Sequence, residues 1–127
     1  MLPHTRALVA AASYAFISGR KVAGIHDHLS GQDLRIAAES QGSQLQGFDG
    51  DRAVMFGGAL PELYDAGENA FVSIEIAGMQ TRGFDRKTES AYAAQVSDGM
   101  VQVYDYGSAA WFAFSVQVAD ADAVPAP

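Results

Sequence analysis

The chain contains no cysteine, and that absence removes several classes of chemistry at once. Disulfides, zinc–thiolate sites and thiol catalysis are excluded, and such a composition is typical of a reducing compartment. We therefore expect a cytoplasmic protein. The alternative is a secreted or periplasmic protein, if the apolar stretch after Arg6 is a signal peptide.

Positive charge is also scarce: eight Lys and Arg stand against fifteen Asp and Glu, for a net charge of −7. Binding to nucleic acid or to an anionic membrane depends on clustered Lys and Arg, so the sequence predicts neither partner. No apolar run reaches the ~20 residues that a membrane-spanning helix needs.

Motifs that fix a catalytic or cofactor chemistry are missing as well. The sequence has no His-Glu-x-x-His, Gly-x-Ser-x-Gly or EF-hand loop, and we predict no cofactor. His26 and His28 stand on one side of a strand, as two zinc ligands would. We expect Arg35 opposite His26 and no third ligand, so a solvated strand end with a His28–Asp33 pair is favoured and no metal site is predicted.

What the sequence does contain is typical of one globular domain over residues 1–118, followed by a disordered acidic, Pro-containing tail over 119–127. Residues 4–18 are rich in alanine and end before Gly19, which predicts a helix with a glycine C-cap. This helix is apolar nearly all round, which indicates burial. A second, short helix is predicted near 59–67, with Pro61 in its first turn.

Between these segments, polar and apolar residues alternate with a period of two, and turn residues recur about every ten positions. Two-residue hairpin loops fix which residues lie opposite each other. The predicted strands are 22–29, 32–40, 43–49, 52–57, 70–77, 79–86, 90–97, 100–106 and 109–118. The predicted opposite pairs include Ala38–Leu45, Ile76–Met79, Phe71–Phe84, Val96–Val101, Val103–Phe112 and Tyr104–Trp111.

Together these elements predict an α+β fold in which the N-terminal helix packs on a strongly curved antiparallel meander of about eight or nine strands. The alternative is an all-β barrel or sandwich with a covering helix, because so many strands offer more apolar surface than two helices can cover. A weak repeat, QGFDG, RGFDR and QVYDY, places an Asp at three strand ends. There a carboxylate caps a turn, or, in the catalytic alternative, belongs to a set of acids and bases.

The face opposite the apolar one is unusually aromatic for a soluble sheet. Part of it should therefore be covered by a partner, by a ligand or by the curling sheet. The predicted binding residues on this face are Arg35, Phe48, Phe71, Arg82, Phe84, Tyr104 and Trp111.

Three functional hypotheses follow from this face. The first is a non-enzymatic binding or assembly module that self-associates, most simply as a homodimer. The second is a protein that binds a small anionic or aromatic metabolite beside Tyr104 and Trp111, with Arg82 or Arg35 meeting an anionic group. The third is an enzyme that uses carboxylates, with Asp85, Asp105, His26 or Glu75 as acid or base; no motif supports it, and we rank it last.

Overall fold

The computed structural model of the protein describes residues 1–119. The predicted tail therefore lies, apart from Ala119, outside the described residues. One helix, α1 (Pro3–Ser18), precedes twelve strands. These are β1 (Val22–Asp27), β2 (Gln32–Leu34), β3 (Ile36–Gln41), β4 (Gln44–Asp49), β5 (Val54–Ala59), β6 (Glu62–Asp65), β7 (Ala70–Ser73), β8 (Glu75–Ala77), β9 (Gln80–Asp85), β10 (Ser90–Ser97), β11 (Met100–Asp105) and β12 (Ala110–Val118).

Ten of these strands form a closed antiparallel barrel. They follow one another as β10-β11-β12-β1-β3-β4-β5-β6-β7-β9, and β9 also pairs with β10, which closes the ring. The short strands β2 and β8 extend it by pairing with β1 and β9. The predicted α+β fold, a helix packed on a strongly curved antiparallel meander, is confirmed, and the curvature reaches full closure as in the barrel alternative.

Helix α1 fills this barrel. Eleven consecutive residues, Thr5 to Ala15, are buried, which covers every side of about three helical turns. Most of them are small, so that the surrounding strands approach closely. The helix ends as predicted: Gly19 has φ of 70°, and its N–H donates to the carbonyl of Ala15 at 2.9 Å.

Polar contacts fix the helix within the ring. The hydroxyls of Ser13 and Thr81 share a buried hydrogen bond of 2.7 Å. Near the C-terminal end of the helix, Ser40 Oγ donates to the Ala15 carbonyl at 2.8 Å. Because buried polar groups are costly unless they are paired, these contacts favour one position of α1 along the barrel axis.

The predicted registers are correct on the C-terminal strands and shifted elsewhere. Val96 pairs with Val101, Val103 with Phe112 and Tyr104 with Trp111, as expected. The other expected pairs are wrong: the observed ones are Ala38 with Gly47, Ile76 with Thr81, His26 with Asp33, and Phe71 with Tyr64 rather than Phe84.

The register shifts in the β3–β4 and β8–β9 hairpins have the same cause. Gly42 and Gly78, with φ of 62° and 63°, occupy the first loop position instead of the second. Each residue of these two hairpins therefore pairs two positions away from the residue predicted to lie opposite it. A two-residue shift preserves the face of every side chain, so the division into inner and outer residues survives.

The short helix predicted near 59–67 is wrong. This segment contains a turn followed by β6, which pairs with β5 and β7. Leu63 and Asp65 point inward and Tyr64 points outward, which is strand alternation. Four residues are too few for that period to stand out beside Pro61 and Gly67, whose positions suit a helix equally well.

Gly83 offers a test of the closed ring. A Cβ there would collide with the Ser73 carbonyl oxygen of β7 and lie 2.8 Å from the Tyr92 ring of β10. We expect Gly83→Ala to lower the free energy of unfolding by about 3 kcal/mol. The control is Gly24→Ala, where the nearest atom is the flexible Gln117 side chain at 3.2 Å, and a loss below about 1 kcal/mol is expected. Equal urea midpoints for the two variants would contradict the close packing at β9.

Candidate functional site

Five aspartates end strands and cap the same kind of turn at one end of the barrel. In each turn, the aspartate Oδ1 accepts a hydrogen bond from the backbone N–H two positions later in the chain, at 2.9–3.1 Å. The residue four positions after each aspartate has a positive φ. The five aspartates are Asp27, Asp49, Asp65, Asp85 and Asp105, and the five residues with positive φ are Gly31, Ala53, Asn69, Glu89 and Ala109.

The repeat therefore has five copies rather than the three visible in the sequence. The first copy, GIHDH, escaped notice because a histidine replaces the aromatic residue before Asp27. The fourth residue of ELYDA, Asp65, lay in the segment predicted as a helix. The structural interpretation of these aspartates, that they cap turns, is confirmed by the hydrogen bonds that occupy them.

Asp105 also joins the turns to α1. Its Oδ2 lies 2.9 Å from the amino nitrogen of Met1 and 3.4 Å from Arg6 Nη1, and its side chain is fully buried. Burial alone would raise the pKa of Asp105. Hydrogen bonds from the Met1 amino group, the Ser108 hydroxyl and the Gly107 N–H outweigh it and hold that pKa below its usual value.

Arg52 joins two neighbouring turns. Its Nε donates to Asp49 at 2.7 Å and its Nη2 donates to Asp65 at 3.1 Å. Partial burial opposes the charged form, but these two carboxylates outweigh it and raise the pKa of Arg52. The turns thus form a connected polar layer, and its charged members are committed to one another.

The histidine pair differs from its predicted geometry. His26 Nδ1 lies 2.7 Å from Asp33 Oδ1, two residues from the expected Arg35, and His28 Nε2 lies 2.6 Å from the Ser115 hydroxyl of β12 instead of Asp33, so both expected partners were wrong. Arg35 instead binds Asp51 through its Nε at 3.0 Å. Within residues 1–119, no group of three His, Asp or Glu side chains could hold a metal ion.

An aromatic or histidine side chain precedes each capping aspartate and points away from the core. Each has a cross-strand partner on the next strand of the same hairpin. We call the resulting ring of pairs the outer belt. Its pairs are His26–Asp33, Phe48–Met55, Tyr64–Phe71, Phe84–Ala91 and Tyr104–Trp111.

The structure distributes the predicted binding residues around this belt instead of gathering them in one pocket. Tyr104 contacts Trp111 at a ring-centroid distance of 5.2 Å, and Tyr106 at 4.8 Å. Phe71 contacts Tyr64 at 5.0 Å, and Arg82 is paired with Glu75 at 3.2 Å. Phe48, Phe84 and Arg35 lie apart from these clusters, on β4, on β9 and between β2 and β3.

Sequence reasoning omitted Tyr64 and Met55 from the belt. The available signal was the position immediately before each Asp, which would have selected Tyr64. Met55 then follows as the cross-strand partner of Phe48.

One sector of the barrel wall is free of charge. Within the described residues, the outward positions of the adjacent strands β10, β11 and β12 carry no Asp, Glu, Lys or Arg. We call this surface the uncharged sector. Its members are Ala91, Ala93, Gln95, Ser97, Met100, Gln102, Tyr104, Trp111, Ala113, Ser115 and Gln117.

Other outward faces interrupt their apolar residues with charge. Glu39 lies on β3, Glu62 on β6, and Glu75 and Arg82 on β8 and β9. The outward faces of β4 and β5 also lack charge, but that surface is two strands wide. The uncharged sector is therefore the widest such surface described.

No protein-family model, curated protein or solved structure matches this chain. Among the described residues, no helix has the length and apolarity required to cross a membrane. Function is therefore inferred from the outer wall and the mouth of the barrel.

Adjacent residues on β12 should respond differently to truncation. Trp111 is 54% exposed, whereas Phe112 packs against the core with the Arg6 guanidinium 3.7 Å from its ring centroid. We expect Phe112→Ala to cost about 3–5 kcal/mol of stability and Trp111→Ala about 1 kcal/mol. Urea unfolding measures both. A Trp111→Ala variant as unstable as Phe112→Ala would mean that the outer ring cluster is a second core.

Asp105 should make stability depend on pH. Because its folded pKa is depressed, its contribution is present above the unfolded value of about 3.9 and is lost as pH falls through the folded pKa. Asp105→Asn should flatten the stability profile in that acidic window and cost about 3 kcal/mol at neutral pH, since Arg6 loses its buried partner. Urea midpoints measured across acidic pH test this, and an unchanged slope would contradict it.

Proposed function

We propose that the protein is a non-enzymatic assembly module in which two copies associate symmetrically through the uncharged sector. The observation that carries this proposal is an uncharged surface three strands wide on a chain of net charge −7. Interface cores are depleted in charged residues and enriched in Tyr and Trp. The uncharged sector likewise lacks charged residues and contains Tyr104 and Trp111.

The net negative charge of the chain favours association of two copies through this sector over association through a charged face. Two copies at −7 repel each other, and contact through a charged face would also bury like charges. The uncharged sector lets the two walls meet without desolvating a carboxylate. Charged residues of the adjoining turns, such as Lys87 and Asp98, lie at its rim, where salt and water screen them.

The shape of the sector supports a symmetric contact. Trp111, a member of the sector, is 54% exposed and packs against Tyr104, while Tyr106 of the adjoining turn is 60% exposed and packs against Tyr104 from the edge of the sector. On β10, the small side chains of Ala91 and Ala93 leave a shallow depression in the surface next to these rings. A two-fold interface brings one patch against itself, so it needs projecting and recessed parts within the same patch. This sector contains both.

The small-molecule alternative has less support at this face. It required a free cation beside Tyr104 and Trp111. Arg82 is engaged by Glu75, and Arg35 is engaged by Asp51. Neither of the two cations expected to meet an anionic group is therefore free to do so.

Two alanine variants test the proposal. Ala93 lies opposite Tyr104 in the uncharged sector, and Ala37 lies opposite Phe48 on the other uncharged surface. Both are half-buried, outward-facing strand residues, and either substitution by Glu adds one negative charge. Sedimentation equilibrium from low to high micromolar concentration should give a dimer for the wild type and for Ala37→Glu. Ala93→Glu should remain a monomer.

Thermal unfolding of both variants checks that each remains folded. A wild-type protein that stays monomeric at high micromolar concentration would overturn the proposal. So would dissociation caused by Ala37→Glu and not by Ala93→Glu, because it would move the interface to β4 and β5.

A further inference from the structure

The mouth of the barrel opens where the strand after the first aspartate turn is interrupted. At Arg35 the chain leaves β2, which pairs with β1, and enters β3, which pairs with β4. The Arg35 N–H and Nε donate to the carboxylate of Asp51, and the Gly50 N–H donates back to the Arg35 carbonyl. These bonds tie the chain between β2 and β3 to the turn after β4, and the β1–β2 hairpin diverges from that turn beyond this point.

The gap between them forms a cleft of about 260 Å³ beside the start of α1. Its apolar wall is made by Pro3, Leu34 and Ile36, and Asp27 and Asp49 lie at its polar side. Binding sites for small molecules combine mostly apolar walls with a few placed polar groups. The cleft is smaller than the ~300–1,000 Å³ of sites for drug-sized ligands, so its ligand has to be small.

The charges around the cleft are unevenly compensated. Asp49 is paired with Arg52, and Asp51 with Arg35. Asp27 has neutral partners, the Leu29 N–H at 2.9 Å and the Ser30 hydroxyl at 3.1 Å. It therefore presents a carboxylate with no paired cation to the cleft.

The neighbouring groups increase this negative balance. Arg52 is shared between Asp49 and Asp65. A third carboxylate, that of Glu68, lies with its Oε2 3.8 Å from Arg52 Nη1. His4 Nε2 lies 2.9 Å from the same Glu68 carboxylate. Both cationic candidates at the mouth are therefore committed to carboxylates.

The N-terminus of α1 favours an anion, with about half a unit of positive charge, but it does not reverse the balance. The N–H groups of Thr5 and Arg6 already donate to the Leu2 carbonyl. We infer that this cleft binds a small organic cation, an amine whose ammonium faces Asp27 and whose hydrocarbon part lies against Leu34 and Ile36. This site is separate from the uncharged sector and does not depend on self-association.

Hexylammonium is a suitable probe, and hexan-1-ol and hexanoate are the neutral and anionic controls of similar length. Amide chemical shifts recorded during titration at neutral pH report both affinity and location. We expect hexylammonium to shift the resonances around Leu34, Ile36 and Asp27. Hexan-1-ol should bind at least about tenfold more weakly, because it lacks a charge-assisted hydrogen bond to a carboxylate.

The matched variants are Asp27→Asn and Asp85→Asn. Each removes one negative charge from the same kind of turn, since Asp85 accepts the Lys87 N–H at 3.0 Å and the Thr88 hydroxyl at 2.7 Å. Asp27→Asn should weaken hexylammonium binding about tenfold, and Asp85→Asn should leave it within twofold.

Several results would overturn the inference. Equal losses in the two variants would show that net charge, and not Asp27, attracts the probe. Stronger binding of hexanoate would assign the cleft to an anion, and equal binding of hexan-1-ol would make it a purely apolar site. Shifts scattered over the barrel surface would show that the cleft binds nothing specifically.

Discussion

The barrel depends on its lumen being filled. Ten closed strands enclose an interior that has to be packed with side chains, and here α1 supplies much of that packing. Small residues such as Ala10 and Ala12 let the ring close tightly around the helix, and Ser13 anchors it to Thr81. The curvature of the strands and the position of the N-terminus both follow from this arrangement.

A filled lumen also decides where function is located. Barrels that bind ligands in their interior keep that space open, whereas α1 occupies it here. Binding surfaces are thereby restricted to the outer wall and the two ends. The end near the start of α1 is organised by five capped turns, in which Asp49, Asp65, Asp85 and Asp105 are buried and hydrogen-bonded. The cleft lies there because the break at Arg35 separates two of those turns.

Much of this architecture was predictable because period-two alternation and turn glycines are local signals. They located α1, every described strand except β6, and the outward position of Trp111, although two predicted strands, 32–40 and 70–77, are each divided into two. Closure was only an alternative, because it depends on the pairing of β1 with β12, in which Val22 meets Val118, and no local pattern encodes a contact between residues so far apart in sequence. The strand β6 was too short to reveal its period. The cleft was invisible for a related reason: the contact between Arg35 and Asp51 joins residues sixteen positions apart and arises only after the sheet has formed.

The most direct test of the central claim, that the uncharged sector is the surface between two copies, uses the single tryptophan as a reporter. Trp111 lies on that sector, and its side chain is 54% exposed in the isolated chain. If two copies meet there, its fluorescence emission should move to shorter wavelength as protein concentration rises, in step with the increase in mass. An emission maximum that stays at the solvent-exposed position while the mass doubles would contradict the claim.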